Sequence, residues 1–185
     1  MTLSPLRMRT ISLLWGFGEA TFFFFVPDIW LTYLVLVNRR EGYRNIPFVI
    51  AGALAGGLVM YLYGAYASDS ARLFLDTVPA IGPALIDGAR ESMREGHPLV
   101  VMQAGSLSGV PYKIYAVVGG EIGLSPVLFA VYSVIARGVR FLLVTSLAAA
   151  VGYFLLKRMS VKTALIVNTI CWAVFYSFYF YKFSA

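Results

Sequence analysis

The sequence is poor in charge, cysteine and histidine, and each scarcity argues against a class of protein. Only 13% of its 185 residues are charged, whereas 59% are hydrophobic; an average soluble domain has about 25% charged residues. This composition argues against a soluble enzyme, a disordered tail and a nucleic-acid-binding module. Cys171 is the single cysteine, so the sequence has no internal disulfide and no cysteine-pair metal site. His97 is the single histidine and has no second metal-ligand type close by in sequence. We therefore expect an integral membrane protein that is not an enzyme and needs neither a metal nor another cofactor.

The apolar residues fall into segments long enough to be membrane elements of a single domain, residues 1–185. These segments are residues 11–37, 47–66, 99–122, 125–156 and 161–181. A helix needs about 20 apolar residues to cross the hydrocarbon core of a bilayer. By length, 47–66 and 161–181 are simple transmembrane spans, and 125–156 is a long or tilted one. Segment 11–37 is too long for the apolar part of a signal peptide and carries acidic residues, so we expect it in the mature protein.

Two of the five segments are interrupted near their middle. Pro27 and Asp28 divide 11–37, and Gly109 to Pro111 divide 99–122. Proline removes a helical hydrogen-bond donor and disfavours helix in the residue before it. Each half has about ten residues, roughly 15 Å of helix, which is half a bilayer. We therefore predict two re-entrant helical hairpins, with tips at Pro27 and at Gly109 and Pro111, and leave open whether the first hairpin spans fully.

The basic residues favour re-entry over complete crossing. They cluster in three places: Arg7 and Arg9; Arg39, Arg40 and Arg44; and Lys157, Arg158 and Lys162. Cytoplasmic loops of membrane proteins are enriched in Lys and Arg. If both interrupted segments re-enter, all three clusters and the N-terminus are cytoplasmic, and the weakly acidic loop 67–98 is outside. After Pro83 that loop shows the apolar spacing of an amphipathic helix. The result is an all-α fold with about three transmembrane helices and two opposed hairpins, which is an inverted repeat typical of transporters.

Five ionisable residues lie inside apolar segments, where a charge is costly and usually functional. Glu19 and Asp28 lie in the first hairpin, Lys113 at the tip of the second, and Arg137 and Arg140 in segment 125–156. The i, i+3 spacing of the two arginines puts them on one helical face. We therefore predict that the two carboxylates pair with the two arginines in a polar pocket, leaving Lys113 as surplus positive charge. The alternative is that these charges only fix the packing of the hairpins.

Glycines and aromatic residues are interpreted as packing elements. Gly52 and Gly56 form a small-xxx-small face of the kind that lets membrane helices approach closely. The run from Trp172 to Phe180 is rich in aromatic residues and predicts packing and an interfacial belt, so no functional role is assigned to it.

Four stretches of the sequence resemble motifs of the DedA/SNARE-associated (VTT domain) membrane proteins, specifically the YqaA-like branch. EATFFFFVPD, from Glu19 to Asp28, resembles the family's E-S-x-F-F-P-x-P-P-[DE]. GALAGGLVMYLYG, from Gly52 to Gly64, is similar to its glycine-rich helix. GVPYK, from Gly109 to Lys113, is similar to G-x-P-[FY]-K, and Arg137 to Phe141 resembles G-R-x-x-R-F. Phe24, Val26 and Ala136 depart from the family pattern.

The resemblance implies opposed re-entrant hairpins and a protein that moves lipids between leaflets of the bacterial inner membrane. Characterised relatives translocate undecaprenyl phosphate or phospholipids. By position, Glu19 and Asp28 would be the acidic pair, Arg137 and Arg140 the essential arginines, and Lys113 part of the second hairpin. The expected partners are an anionic lipid headgroup and, as coupling ion, a proton, with self-association left open and no nucleic acid. A small-solute or ion transporter that uses the same charge pocket is the alternative function.

Overall fold

The computed structural model describes residues 3–183, and within this range the regular secondary structure is entirely α-helical. The helices are α1 Pro5–Thr21, α2 Asp28–Val37, α3 Arg39–Tyr66, α4 Ser68–Asp76, α5 Pro83–Glu95, α6 Pro98–Ser108, α7 Tyr112–Glu121, α8 Pro126–Leu155 and α9 Val161–Phe183. Both predicted interruptions are confirmed as breaks between helices. One separates α1 from α2 and the other separates α6 from α7.

Three helices are long and apolar enough to cross a membrane, namely α3, α8 and α9. α3 has 28 residues and α8 has 30, which at 1.5 Å per residue is about 42 and 45 Å of helix, more than the ~30 Å hydrocarbon core. Many large apolar side chains of α8 and α9 are exposed, as expected for helices that face lipid. The chain is therefore a membrane protein.

Helix α3 begins at Arg39, before the apolar segment 47–66 that was predicted from the sequence. The Asn38 side chain caps this helix: its Oδ1 accepts hydrogen bonds from the backbone N–H groups of Arg40 (3.0 Å) and Glu41 (3.4 Å). Capping satisfies donors that the first turn would otherwise leave unpaired. Pro47 lies inside the helix without ending it, so the polar residues before the apolar segment form its first turns.

Glycines bring α1 and α3 into backbone contact. A Cβ atom added to Gly52 would overlap the carbonyl oxygen of Leu13, and one added to Gly56 would lie 2.6 Å from the carbonyl oxygen of Phe17. A Cβ atom added to Gly16 on α1 would overlap the carbonyl oxygen of Val49. The predicted packing role of Gly52 and Gly56 is confirmed, and it places the end of α1 against the centre of α3.

The free ends of α1 and α2 lie together beside the N-terminal end of α3. Residues from all three helices and from the chain before α1 line one cavity of about 270 Å³ there, including Pro5, Val37 and Glu41. Farther along, the Trp30 Nε1–H donates to Ser12 Oγ (2.9 Å), which donates to Asn45 Oδ1 (2.8 Å). The break between α1 and α2 therefore lies away from the start of α3.

The end of α7 lies at the opposite, C-terminal end of α3. Gly64 is in contact with the Val117 backbone and Gly120 with the Tyr61 carbonyl. At the end of α7, the Glu121 carboxylate accepts ion pairs from Arg72 of α4 (3.1 Å) and Arg90 of α5 (2.6 Å). α5 is the predicted amphipathic helix after Pro83, with Ile86, Ala89 and Met93 on its buried face. α4 was not predicted.

Candidate functional site

The two hairpin ends meet α8 at its centre, where Glu19 and Arg137 form a buried ion pair. Glu19 lies in the last turn of α1, and its side chain is 3% exposed; that of Arg137 is 4% exposed. The Arg137 Nη2 donates to Glu19 Oε2, and Nη1 lies 3.4 Å from Oε1. Two parallel contacts between guanidinium and carboxylate define both the position and the orientation of the pair.

Asp28 and Arg140 form the second ion pair. Asp28 is the first residue of α2, where the helix dipole favours a carboxylate, and its side chain is fully buried. The Arg140 Nε and Nη2 donate to Asp28 Oδ2 at 3.2 and 3.0 Å. Its remaining Nη1 donates to the carbonyl oxygen of Ser106 at the end of α6. The pairing predicted from sequence is confirmed in geometry, with one arginine on each carboxylate.

Lys113 is the surplus cation that the sequence predicted. It is 1% exposed, and its Nζ donates to the backbone carbonyl oxygen of Phe23 at 3.0 Å. Within residues 3–183, no carboxylate lies within ion-pair distance of this ammonium group. Because Phe23 belongs to the break of the first hairpin and Lys113 to the second, this bond joins the two tips.

The second tip depends on a glycine backbone conformation. Gly109 ends α6 with φ +95°, a left-handed conformation that side chains other than glycine rarely adopt. The turn through Val110 and Pro111 then starts α7, which carries Lys113 into the interior. Gly109 and Pro111 line the cavity at the site, and the first tip contributes Phe24 and Val26 to the same cavity. Pro27 directly precedes α2.

Two aromatic rings lie against the Arg137 guanidinium. Its carbon lies 4.9 Å from the centre of the Tyr112 ring and 4.7 Å from that of Phe141, within range for cation–π attraction. The Tyr112 hydroxyl donates to Ser133 Oγ at 2.8 Å. Neither ring was predicted from the sequence to belong to the site, although each lies in a motif that also contains at least one of the predicted charged residues.

Two tyrosines of α9 contact the hairpin tips. The Tyr176 hydroxyl accepts a hydrogen bond from the backbone N–H of Val26 (2.8 Å), and the Tyr179 hydroxyl donates to the carbonyl of Gly109 (3.1 Å). The sequence analysis assigned only packing and an interfacial belt to this aromatic run. The structure instead brings these two side chains to the charge site, one on each tip.

The site contains an enclosed cavity and an open groove beside it. The cavity holds about 40 Å³ and is lined by four of the predicted charged residues: Glu19, Lys113, Arg137 and Arg140. The groove, of about 450 Å³, runs between the end of α6, α8 and α9. Arg140 and Tyr179 line both spaces, while the groove walls include Leu107, Phe175 and Phe178. An apolar groove therefore leads from the lipid-facing surface to a guanidinium group.

Other candidate chemistry lies outside this site. No group of three or more His, Cys, Asp or Glu side chains within the described part of the chain is arranged to hold a metal ion. His97 precedes α6, with its ring 5.5 Å from that of Tyr132. Cys171 is exposed and lines the open groove.

Comparison with known proteins identifies one similar sequence. An uncharacterized protein of Haemophilus influenzae is 26% identical over 159 residues, which cover 86% of this chain and 79% of that protein. No protein-family model matches the chain, and no solved structure matches it.

Proposed function

We propose that this protein translocates anionic lipid headgroups, of phospholipids or polyprenyl phosphates, across the bacterial inner membrane while the lipid tails stay in the bilayer. The observation that carries the proposal is the groove between α6, α8 and α9. Its walls are apolar, its outer side carries exposed Leu107 and Phe178, and its inner side carries Arg140. A lipid tail suits the walls, and a guanidinium group suits a phosphate.

The path across the bilayer depends on two re-entrant hairpins that enter from opposite faces, as an inverted repeat. This is supported by the ends of the helices: the start of α1 and the end of α2 lie at one end of α3, and the end of α7 lies at the other. It is also supported by the motifs that resemble the DedA/SNARE-associated family. In this arrangement the two tips meet near the bilayer midplane, where each headgroup must pass the centre of the barrier. The N-terminus is cytoplasmic.

The basic and acidic residues have different roles in binding and releasing the headgroup. Arg140, Lys113 and Arg137 bind the phosphate, and the carboxylates compete with it for the same cations. When phosphate displaces Glu19 from Arg137, the carboxylate loses its partner in an apolar environment, where the neutral form is favoured. Proton uptake by Glu19 then accompanies headgroup binding, which couples translocation to a proton.

A small-solute or ion transporter is the second candidate, and the size of the enclosed cavity favours it. About 40 Å³ accommodates a water molecule or a small ion rather than a headgroup. The groove distinguishes the two candidate functions, because a solute transporter needs a water-lined path and does not require an apolar opening toward lipid.

The test is a translocation assay in vesicles with fluorescent anionic and zwitterionic lipids, in which an external reductant quenches the outer leaflet. The wild-type protein is expected to make the inner-leaflet label accessible, and Arg140→Ala is expected to abolish this activity. Arg158→Ala is the matched control, because Arg158 is exposed and forms no ion pair within residues 3–183. Equal inactivity of wild type and empty vesicles toward every lipid, with uptake of a small anion, would favour the solute transporter instead.

The single cysteine provides a second test of the groove. Cys171 lines it and is exposed, so a maleimide should label the wild-type protein in detergent. Adding an anionic lipid is expected to slow this labelling, whereas an equal amount of lipid-free detergent should not. Labelling at the same rate with and without lipid would contradict headgroup access through this groove.

A further inference from the structure

The buried charges at the hairpin tips do not balance. Glu19 is paired with Arg137 and Asp28 with Arg140, which leaves the Lys113 ammonium with a single backbone carbonyl as its acceptor. Removing an unpaired ammonium from water costs several kcal/mol, and a carbonyl offsets only part of that cost. With both carboxylates ionised, the cluster carries one net positive charge and lacks one anion.

The surplus charge lies where an entering anion ends its path. Lys113 and Arg140 line the same enclosed cavity, and Arg140 also lines the open groove. A phosphate that enters through the groove therefore meets Arg140 at the mouth of the small cavity, and the positive charge of Lys113 attracts it from inside that cavity. The Nζ atom has further hydrogen-bonding capacity, since an ammonium group has three donors and one is directed at Phe23.

We infer that this site selects a lipid headgroup with one net negative charge, so that anionic phosphodiester lipids are preferred over dianionic phosphomonoesters and over zwitterionic phosphodiesters such as phosphatidylcholine. The inference rests on the proposed function for the lipid as source of the phosphate, and it narrows that function to phospholipids, because a polyprenyl phosphate is a phosphomonoester. A phosphodiester monoanion neutralises the cluster as it stands. A phosphomonoester carries about −1.5 to −2 near pH 7, and it leaves the cluster negative unless a proton binds with it.

The net charge of the cluster depends on all the charged and titratable groups around the phosphate. These groups come from each helix that packs against the site. They are Glu19 of α1, Asp28 of α2, Tyr112 and Lys113 of α7, Arg137 and Arg140 of α8, and Tyr176 and Tyr179 of α9. The tyrosines carry no charge at neutral pH, so the count of one surplus cation holds for the whole set.

Two substitutions change the cluster charge by one unit in opposite directions. Lys113→Gln leaves zero net charge and keeps an amide donor for the Phe23 carbonyl. Glu19→Gln leaves two positive charges and keeps an amide oxygen for Arg137. The double variant returns the cluster to one positive charge.

The full-length protein in detergent is titrated with phosphatidylglycerol (a monoanion), phosphatidic acid (a phosphomonoester) and phosphatidylcholine (a zwitterion), with bound lipid counted by native mass spectrometry.

Wild type is expected to bind phosphatidylglycerol roughly tenfold more tightly than phosphatidylcholine, the size of one charge-assisted hydrogen bond. Lys113→Gln should lose this preference. Glu19→Gln should prefer phosphatidic acid at about pH 8, where the monoester is doubly charged because its second pKa is about 6. The double variant should regain the wild-type preference for phosphatidylglycerol. In wild type, the preference for phosphatidylglycerol over phosphatidic acid should increase from about pH 6 to 8, because only the monoester gains negative charge in this range.

Restoration in the double variant separates charge selection from loss of fold, since a misfolded single variant gains nothing from a second substitution. Equal preferences in all four proteins, or a double variant as unselective as Lys113→Gln, would overturn the inference. If wild type translocates phosphatidylglycerol and phosphatidylcholine at one rate and binds them alike, the inference fails and the proposed function stands. If the charge-dependent preference appears in binding but no lipid is translocated, the inference stands and the proposed function fails.

Inorganic phosphate at about pH 6, where it is mainly a monoanion, tests whether the bound phosphate group belongs to a lipid or is free phosphate. The lipid source predicts that it stabilises the wild-type protein against heat much less than phosphatidylglycerol does. Stabilisation as large as that by the lipid, and lost in Lys113→Gln, would support selection of a singly charged phosphate while identifying free phosphate as the ligand.

Discussion

At the scale of single residues, the site combines charged groups whose burial is unfavourable when each is alone and tolerated when they are paired. Glu19 and Arg137 are each nearly inaccessible to water, so neither tolerates the loss of the other. The rings of Tyr112 and Phe141 add attraction without removing the charge. The pair is therefore stable in the resting protein and remains available to exchange partners with an anion.

Removing either arginine is expected to abolish translocation. Arg137→Ala leaves Glu19 buried without a partner and should lower the free energy of unfolding by about 3–5 kcal/mol. Arg137→Lys should recover little, because an ammonium group cannot make the two parallel contacts of the guanidinium. Thermal unfolding in detergent and the vesicle assay measure the two effects, with Arg158→Ala as control. Full activity of Arg137→Ala would contradict a role for this pair.

Proton use by Glu19 is tested by its amide analogue. Glu19→Gln imitates the protonated side chain, so it should retain lipid binding and lose the pH dependence of translocation. Rates are measured for wild type and variant at several pH values across about pH 5.5–8. Glu121→Gln is the matched control, since Glu121 is a carboxylate paired with Arg72 and Arg90 away from the site. Parallel pH profiles for wild type and Glu19→Gln would show that Glu19 is only a structural tether.

At the scale of helices, small residues determine how closely the hairpins approach α3. The Gly52 Cα lies so near the Leu13 carbonyl that no Cβ fits between them. Since the obstructing atom belongs to a backbone, a side-chain rotation cannot relieve the contact. The position of Glu19 in the last turn of α1 therefore depends on glycines in α3.

Gly52→Ala is expected to destabilise the protein and to displace the first hairpin. Overpacking of this kind costs about 1–3 kcal/mol, and the shift should weaken translocation by moving Glu19 away from Arg137. Gly138→Ala on α8 is the control, because its Cβ would meet Ile50 at an ordinary 3.7 Å. The melting temperatures and rates of the two variants are compared in the same detergent and vesicles. Gly52→Ala as stable and active as Gly138→Ala would show that α1 moves freely along α3.

α9 covers the site from the side and is attached by its tyrosines. Tyr176→Phe removes the acceptor of the Val26 N–H at 2.8 Å, which should cost about 1 kcal/mol and ease displacement of α9 from the tips. Translocation is therefore expected to become faster while thermal stability falls. Tyr181→Phe on the same helix is the control, because Tyr181 is largely exposed. A slower rate in Tyr176→Phe would mean that its hydroxyl assists transport instead of restraining α9.

At the scale of the whole molecule, the distribution of charge predicts the orientation in the membrane. If both hairpins re-enter, the segments 38–46 and 157–162 lie on the cytoplasmic side, and α4 and α5 lie outside. Single cysteines at Arg40, Ser160 and Ser92, introduced with Cys171→Ser, are exposed positions for labelling from either side. The first two should react only from the cytoplasmic side and the third only from outside. Labelling of Arg40→Cys and Ser160→Cys from opposite sides would refute the arrangement.

Much of this protein follows from its sequence, because the relevant signals are local. Low charge and long apolar segments determine a membrane protein, and proline and glycine determine where its helices break. The i, i+3 spacing of Arg137 and Arg140 determines that both lie on one face of α8, and the count of buried charges determines that one cation is in surplus. Each of these conclusions needs only neighbouring residues or a sum over the chain.

Tertiary structure decided the rest, because it depends on elements that are distant in sequence. It determined that Arg137 binds Glu19 and Arg140 binds Asp28, which the sequence could not distinguish, since either pairing balances the charges. It also placed Lys113 on the Phe23 carbonyl, and Tyr176 and Tyr179 on the two tips. An aromatic side chain in an apolar helix has the same local pattern whether it faces lipid or a polar site. Only the packing of the helices determines which of these environments it meets.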